Sequence, residues 1–331
     1  MTSTTAIREP ATVRPDHAIG RWLAAIFPDG EAIEGEAPLE LAAEAADPPK
    51  LAQATVIEGR DLRAIAVGGE PEVAIAAFLD GRQVSAVKMY RSGGVPIVSG
   101  TIGAVIRERR DRRMFTWNHR VDQRIYVPAR YLSATDWRAL DASGASVRDT
   151  TAGATDAIEH PLALRELARN LVRNDRESVE HALAQEWCAA ETRPLLIDGG
   201  ISAAQPIARS ACAIGVVKSH RTLYVQGDAL RVTLGLEAAE RTSVFSINPE
   251  KRAPVASWYL RLRDRAGRDP MWGLVRVEVS APAARDDIGA RADEVSRWIL
   301  AETSPLALPD ARWDKMVYGV RDCEEFLRAV M

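Results

Sequence analysis

Two apolar runs that each end in Asp-Gly, set on either side of a long amphipathic helix, constrain this chain more than any other feature. Leu195 to Ile197 reads as a short buried strand that ends on Asp198, and Gly199-Gly200 then permits a sharp turn or a close approach of the backbone. Earlier, Val73 to Leu79 runs into Asp80-Gly81 in the same way. Between them, Leu162 to Cys188 carries Leu164, Leu167, Leu171, Val172, Val179, Leu183 and Trp187 as an apolar stripe at helical spacing. Strands broken by one long helix imply a mixed α/β core, with two carboxylates delivered to one edge of one sheet. Such a pair suits a divalent cation. Asp-Gly is also the commonest turn dipeptide after a strand, and a single such unit would say no more than that.

The long helix sorts its own acids. With Val179 at zero and a step of about 100° per residue, Glu180 falls near about +100°, at the border of the apolar stripe, and Glu177 near about 160°, toward solvent. Glu180 can thus point toward Asp198, or pair with Arg176 one turn back. Before the helix, Val73 to Asp80, Val84 to Tyr90 and Val95 to Ile106 predict an antiparallel meander with turns at Gly81-Arg82 and Ser92-Gly-Gly94. A hairpin from Met114 to Trp117 and Arg124 to Val127 follows, then a loop over 140–157. After the helix come strands at Asp198, Ala211 to Lys218, Thr222 to Val225, Ser243 to Ile247, Trp258 to Leu262 and Trp272 to Val279. Helices are expected at Ile288 to Ala301 and Asp322 to Met331. At the other end, His17 to Ile26 places Ile19, Trp22, Leu23 and Ile26 on one helical face that needs a partner, and a short helix is expected at Leu39 to Ala46.

At 331 residues the chain has material for one large domain or two smaller ones, and its 47% apolar and 27% charged content is that of a globular protein. The net charge of −3 does not mark a nucleic-acid binder as a whole. Arg107 to Arg113 is nevertheless dense in arginine, and reads either as a phosphate patch or as a solvated charged turn. Cys188, Cys212 and Cys323 are too few and scattered for a disulfide framework or zinc knuckle, and are expected as inert thiols. With no run of eighteen apolar residues and no basic-then-apolar leader, the expected setting is the cytoplasm, with no membrane.

Two further clusters carry chemistry. Lys218-Ser-His220 leaves an apolar strand, where a Lys can neutralise a phosphate and a His can position a proton, or where both simply guard a sheet edge. In Trp272 to Val279, Arg276 and Glu278 share a face, as a phosphate clamp with a ligand or orienting acid, or as exposed residues in cross-strand ion pairs. Walker, dinucleotide-binding, zincin and serine-hydrolase motifs are absent from the sequence. What remains is a set of dispersed acids, which points to Mg²⁺ or Mn²⁺ and phosphoryl chemistry.

In order, Phe78-Leu-Asp80-Gly81, Arg176-Glu-Ser-Val-Glu180, Leu195-Leu-Ile-Asp198-Gly199, Gly215-Val-Val-Lys218-Ser219 and Arg276-Val-Glu278 resemble the motif series of the NurA family of DNA repair nucleases. The resemblance spans roughly residues 70–300 and rests on order and spacing more than on any single motif. It implies a ribonuclease-H-like mixed sheet flanked by helices, with residues 1–60 as an N-terminal extension and 61–331 as the nuclease domain. It implies Asp80, Glu180 and Asp198 as metal ligands for Mn²⁺ or Mg²⁺, and Lys218 as the catalytic cation. Arg176, His220 and Arg276 would contact substrate, with Glu278 and Glu177 as further acids. The activity implied is metal-dependent hydrolysis of DNA at its ends, with single-strand endonuclease action beside it. The partners implied are DNA, a HerA-type hexameric ATPase and a second copy of the chain, with the helix around Trp22 and Ile26 as a contact for either the second copy or the ATPase. The family's C-terminal Tyr-Pro and Ala-His have no counterpart: the tail from Ser304 to Asp314 holds no His, and Asp310 and Asp314 are the acids available in their place. An adaptor with the same fold that binds DNA or the ATPase without cutting is the alternative.

Overall fold

The computed structural model describes residues 16–38, 48–91, 93–111, 113–153, 160–248, 252–265, 267–281, 288–303 and 318–331. The helix expected at 39–46, and Asp310 and Asp314, lie outside them. In chain order the elements are α1 (Asp16–Ile26), β1 (Glu31–Pro38), β2 (Lys50–Leu51), β3 (Thr55–Val56), β4 (Ala64–Ala66), β5 (Ala77–Arg91), β6 (Val95–Arg110), β7 (Arg113–Val127), α2 (Ala134–Ala142), β8 (Val147–Asp149) and α3 (Pro161–Ala190). There follow β9 (Leu195–Asp198), α4 (Gln205–Ala208), β10 (Ala213–Val217), β11 (Thr222–Leu223), α5 (Gly227–Gly235), β12 (Glu240–Thr242), β13 (Phe245–Ile247), β14 (Val255–Arg261), β15 (Leu274–Ser280), α6 (Ile288–Glu302) and α7 (Tyr318–Val330).

One large mixed sheet runs β3-β13-β14-β15-β10-β9-β5-β6-β7-β8. Its centre reads β7-β6-β5-β9-β10, so the first three long strands form an antiparallel meander and the next two lie parallel on the far side of the first. This is the mixed α/β sheet flanked by helices expected from the sequence. The chain builds outward from β5 in one direction, crosses back along α3, and builds outward in the other. The gap between β5 and β9 is therefore the switch point at which open α/β sheets place their ligands.

The meander differs from expectation at two places. Asp80-Gly81 is not a turn: β5 continues through it, with Asp80 opposite Val105 and Gly81 opposite Ala104 of β6. Unbroken pairing with β6 outweighs the local turn preference of Asp-Gly. Likewise Met114 to Val127 is no hairpin but the single strand β7, paired along its length with β6. The loop expected over 140–157 contains the end of α2 and the strand β8.

Both sheet faces are buried, so β6, β14 and β15 are inaccessible along nearly their whole length, the charged Arg276 and Glu278 of β15 included. On one face α3 packs Val172, Leu183 and Trp187 against Ala77, Leu79, Ile102 and Ile197. On the other, α6 and α7 pack Val295, Trp298, Cys323 and Leu327 against Phe78, Leu196 and Val216. A third cluster answers for the apolar face of α1: Ile19 and Leu23 bury against Met89, Ile97, Ile125 and Leu140, with Trp22 and Ile26 partly buried beside them. In addition β1 pairs with β5, so this N-terminal stretch adheres to the central meander. The three cysteines are reduced, but Cys188 and Cys212 are not remote from each other: their sulfurs lie 3.6 Å apart.

Candidate acid cleft at the sheet switch point

The parallel pairing of β5 with β9 matches Ala77 to Leu195, Phe78 to Leu196 and Leu79 to Ile197. One step further along both strands stand Asp80 and Asp198. Alternation puts both side chains on the face of Phe78 and Leu196, the face covered by α7. Lys218 follows the last residue of β10, whose Val216 pairs with Asp198, and its Nζ lies 2.8 Å from Asp198 Oδ2. Asp80, Asp198, Lys218 and Arg176 line one cleft of about 570 Å³, to which α7 adds Glu324 and Arg328.

Glu180 arrives from the opposite face, on α3. It is buried, whereas Glu177 is roughly half exposed. Glu180 lies over Gly81: a Cβ on that glycine would sit 1.8 Å from Glu180 Oε1. Only the missing side chain lets the carboxylate approach the sheet there. Arg176, one turn back, donates to Glu180 through Nη1 and to Gln83 Oε1 at 3.2 Å.

Burial dominates the electrostatics of these acids. Burial, and then the charge of Asp198, raise the Asp80 carboxyl to about 7, against the pull of Lys218. Burial likewise raises Glu180 to about 8, with Asp80 and Asp198 adding to the effect and Arg176 opposing it. The three acids thus sense one another electrostatically. Among the described residues, however, no three Asp, Glu, His or Cys side chains are arranged to hold one metal ion. The reason lies in the partners: Glu180 turns to Arg176 and Asp198 to Lys218. Asp80 and Asp198 remain as two adjacent hard oxygen donors. That set fits Mg²⁺ or Mn²⁺, which take one or two carboxylates and complete their shell with water and phosphate oxygens.

The remaining predicted residues are placed elsewhere. Arg276 is buried, 2.5 Å from Glu278 and stacked over Tyr224, and does not line the cleft. His220 donates through Nε2 to the Leu274 carbonyl at 2.7 Å and is also outside it. Both therefore support the sheet where substrate contact was expected. Glu278, expected on an exposed or substrate-facing side, is instead buried and anchors backbone outside the cleft. Its Oε2 accepts from the backbone of Ile201 at 2.7 Å and of Ser202 at 3.4 Å, tying down the turn that follows Asp198. In that turn Gly199 has φ +132°, a left-handed conformation, and Gly200 has no room for a Cβ beside Glu278. The arginine-rich run resolves as ion pairs: Arg107 with Asp322, Arg109 with Glu302 and Arg110 with Glu108. Reasoning from sequence missed Glu324 and Arg328, whose one signal was their place on the amphipathic tail helix.

No protein-family model matches the chain, and no curated protein sequence matches it. Among solved structures, the chain is similar to the NurA nuclease from Sulfolobus solfataricus, at 11% identity and a TM-score of 0.42, over 80% of this chain and 85% of that one.

Proposed function

We propose that this chain is a divalent-metal-dependent nuclease that hydrolyses phosphodiester bonds at DNA ends. The observation that carries the reading is the juxtaposition of buried Asp80 and partly buried Asp198 on adjacent parallel strands, with Lys218 against Asp198. Burial and the neighbouring Asp198 charge both disfavour ionised Asp80 even with Lys218 nearby, and perturbed carboxyls of this kind cluster at functional sites. Bound between the two aspartates, Mg²⁺ or Mn²⁺ would activate water and stabilise charge on the phosphoryl group. The chain's own residues do the rest. Asp80 and Asp198 would hold the cation, Lys218 would neutralise the phosphate, and Arg176 balances Glu180. Glu177 stands at the solvent side of that pair.

The sequence resemblance supports the finer parts of the proposal: DNA rather than another phosphodiester, trimming of ends with single-strand cutting beside it, a cytoplasmic setting, and work with a HerA-type hexameric ATPase and a second copy of the chain. The domain division at residue 60 belongs to the same reading. No helix among the described residues is long and apolar enough to cross a membrane. A second reading, a DNA- or ATPase-binding adaptor without activity, draws on Glu180 and Asp198 already being paired to cations.

Incubating linear DNA with the protein in Mn²⁺ or in EDTA separates the two. The nuclease reading expects degradation in Mn²⁺ that disappears in EDTA and in folded Asp80→Ala and Asp198→Ala variants. Absence of degradation by the unaltered chain, with the ATPase present, would establish the adaptor instead.

A further inference from the structure

On the α3 face, behind the cleft, lies a recess of about 200 Å³. Leu79, Ala184, Ile197, Ile201 and Ile207 form its walls, and Arg176, Glu177, Glu180 and His181 bring polar groups to it. None of these apolar residues is needed by phosphoryl chemistry. A cavity of roughly 150 Å³ with apolar walls accommodates benzene, so this one has room for a single flat heterocycle. The mixture of polar groups suits the edge of such a ring, which offers donors and acceptors together. Arg176 and Arg252 only donate, the carboxylates accept, and the two ring nitrogens of His181 can do either.

The recess and the cleft share Arg176, Asp198 and Gly199. Gly199 is the doorway between them: it lines both, and the position of its missing Cβ faces open space. A sugar can cross there with its phosphate over Asp80 and Asp198 on one side of the sheet end and its base on the other.

Resting on the nuclease reading above, we infer that the recess receives one unstacked nucleobase, that of the nucleotide whose phosphate lies over the two aspartates. The strand is then held by a base drawn out of its stack as well as by its phosphate. Extraction of a base costs a few kcal/mol in a duplex and least at an unpaired end, so the recess directs the enzyme to frayed or single-stranded termini.

Two measurements test this. The first compares cleavage of single-stranded DNA ending in a normal nucleotide with the same DNA ending in an abasic one. The expected kcat/KM is at least tenfold higher with the base present. Ala203→Trp, at an exposed position on the wall, fills the recess and brings that ratio close to one; His181→Ala, with its fold verified by circular dichroism, lowers it. The second measurement needs no cleavage. DNA ending in the fluorescent base 2-aminopurine is bound to the Asp80→Asn protein, where unstacking is expected to brighten it several-fold, and adding Ala203→Trp removes the rise. Equal cleavage of both ends without brightening, or brightening that survives Ala203→Trp, overturns the recess and leaves the nuclease reading intact. Brightening that Ala203→Trp abolishes, in a protein that cleaves neither DNA in Mn²⁺, sinks the nuclease reading and supports the recess.

Discussion

Replacing Asp80 by Asn is expected to move stability and activity in opposite directions. The side chain is nearly isosteric, yet it removes a buried charge that Asp198 repels. Urea unfolding at pH 8 without metal should show a gain of about 1–2 kcal/mol, of the order of one unit of relieved pKa shift. DNA cleavage in Mn²⁺ should fall by about 100-fold or more, as when a group that stabilises transition-state charge is lost. A stability loss would show that Lys218 needs Asp80 as well as Asp198 and that burial beside Asp198 does not disfavour the Asp80 charge. Gly81 gives the complementary case. With Glu180 where its Cβ would be, Gly81→Ala must displace the carboxylate and Arg176 with it. A cost of about 1–3 kcal/mol is expected in the same unfolding assay, with cleavage reduced although no acid has been changed. At this scale the residue types were readable in advance but their environments were not. Asp80-Gly81 looks like a turn, and its meaning became visible only when a helix one hundred residues later laid Glu180 across it.

Elements, rather than single residues, keep the acids in register. Pairing of β5 with β9 determines that Asp80 neighbours Asp198, and the Glu278 carboxylate, reaching from β15, holds the backbone of Ile201 and Ser202 just after β9. Glu278→Ala leaves those amides and the buried Arg276 without their partner, so a loss of about 3–5 kcal/mol is expected from chemical denaturation. At temperatures where the variant stays folded, cleavage should still be impaired, because the turn beside Asp198 has lost its anchor. Unaltered cleavage by a folded variant would show that the turn does not govern the site. Local signals for elements were of uneven quality. The apolar stripe of α3 is explicit over its thirty residues, whereas α2 is announced only by Ser133-x-x-Asp136, a capping box that the structure forms in full. That short signal is easily lost within a stretch of small polar residues.

For the molecule as a whole, the two raised carboxyls link folding, pH and metal. Asp80 goes from 3.8 to about 7 and Glu180 from 4.5 to about 8 on folding, so the folded chain binds more protons than the unfolded one between those values. Their contribution to stability therefore declines as pH rises from about 4 and levels off above about 8. A divalent cation competes with these protons. Thermal melts are expected to show a larger Mn²⁺-induced rise in Tm at pH 8.5 than at pH 6, and cleavage is expected to increase with pH over the same interval. A Mn²⁺ effect independent of pH, or present in Asp80→Asn with Asp198→Asn, would place the ion elsewhere. By itself the sequence determined the fold class, the long helix and the identity of the acids, because period and punctuation are local properties of a chain. Which acids became neighbours, that Arg276 and His220 turned inward, and that one glycine admits Glu180 to the sheet were decided by strand register and packing between segments far apart, which no local pattern encodes.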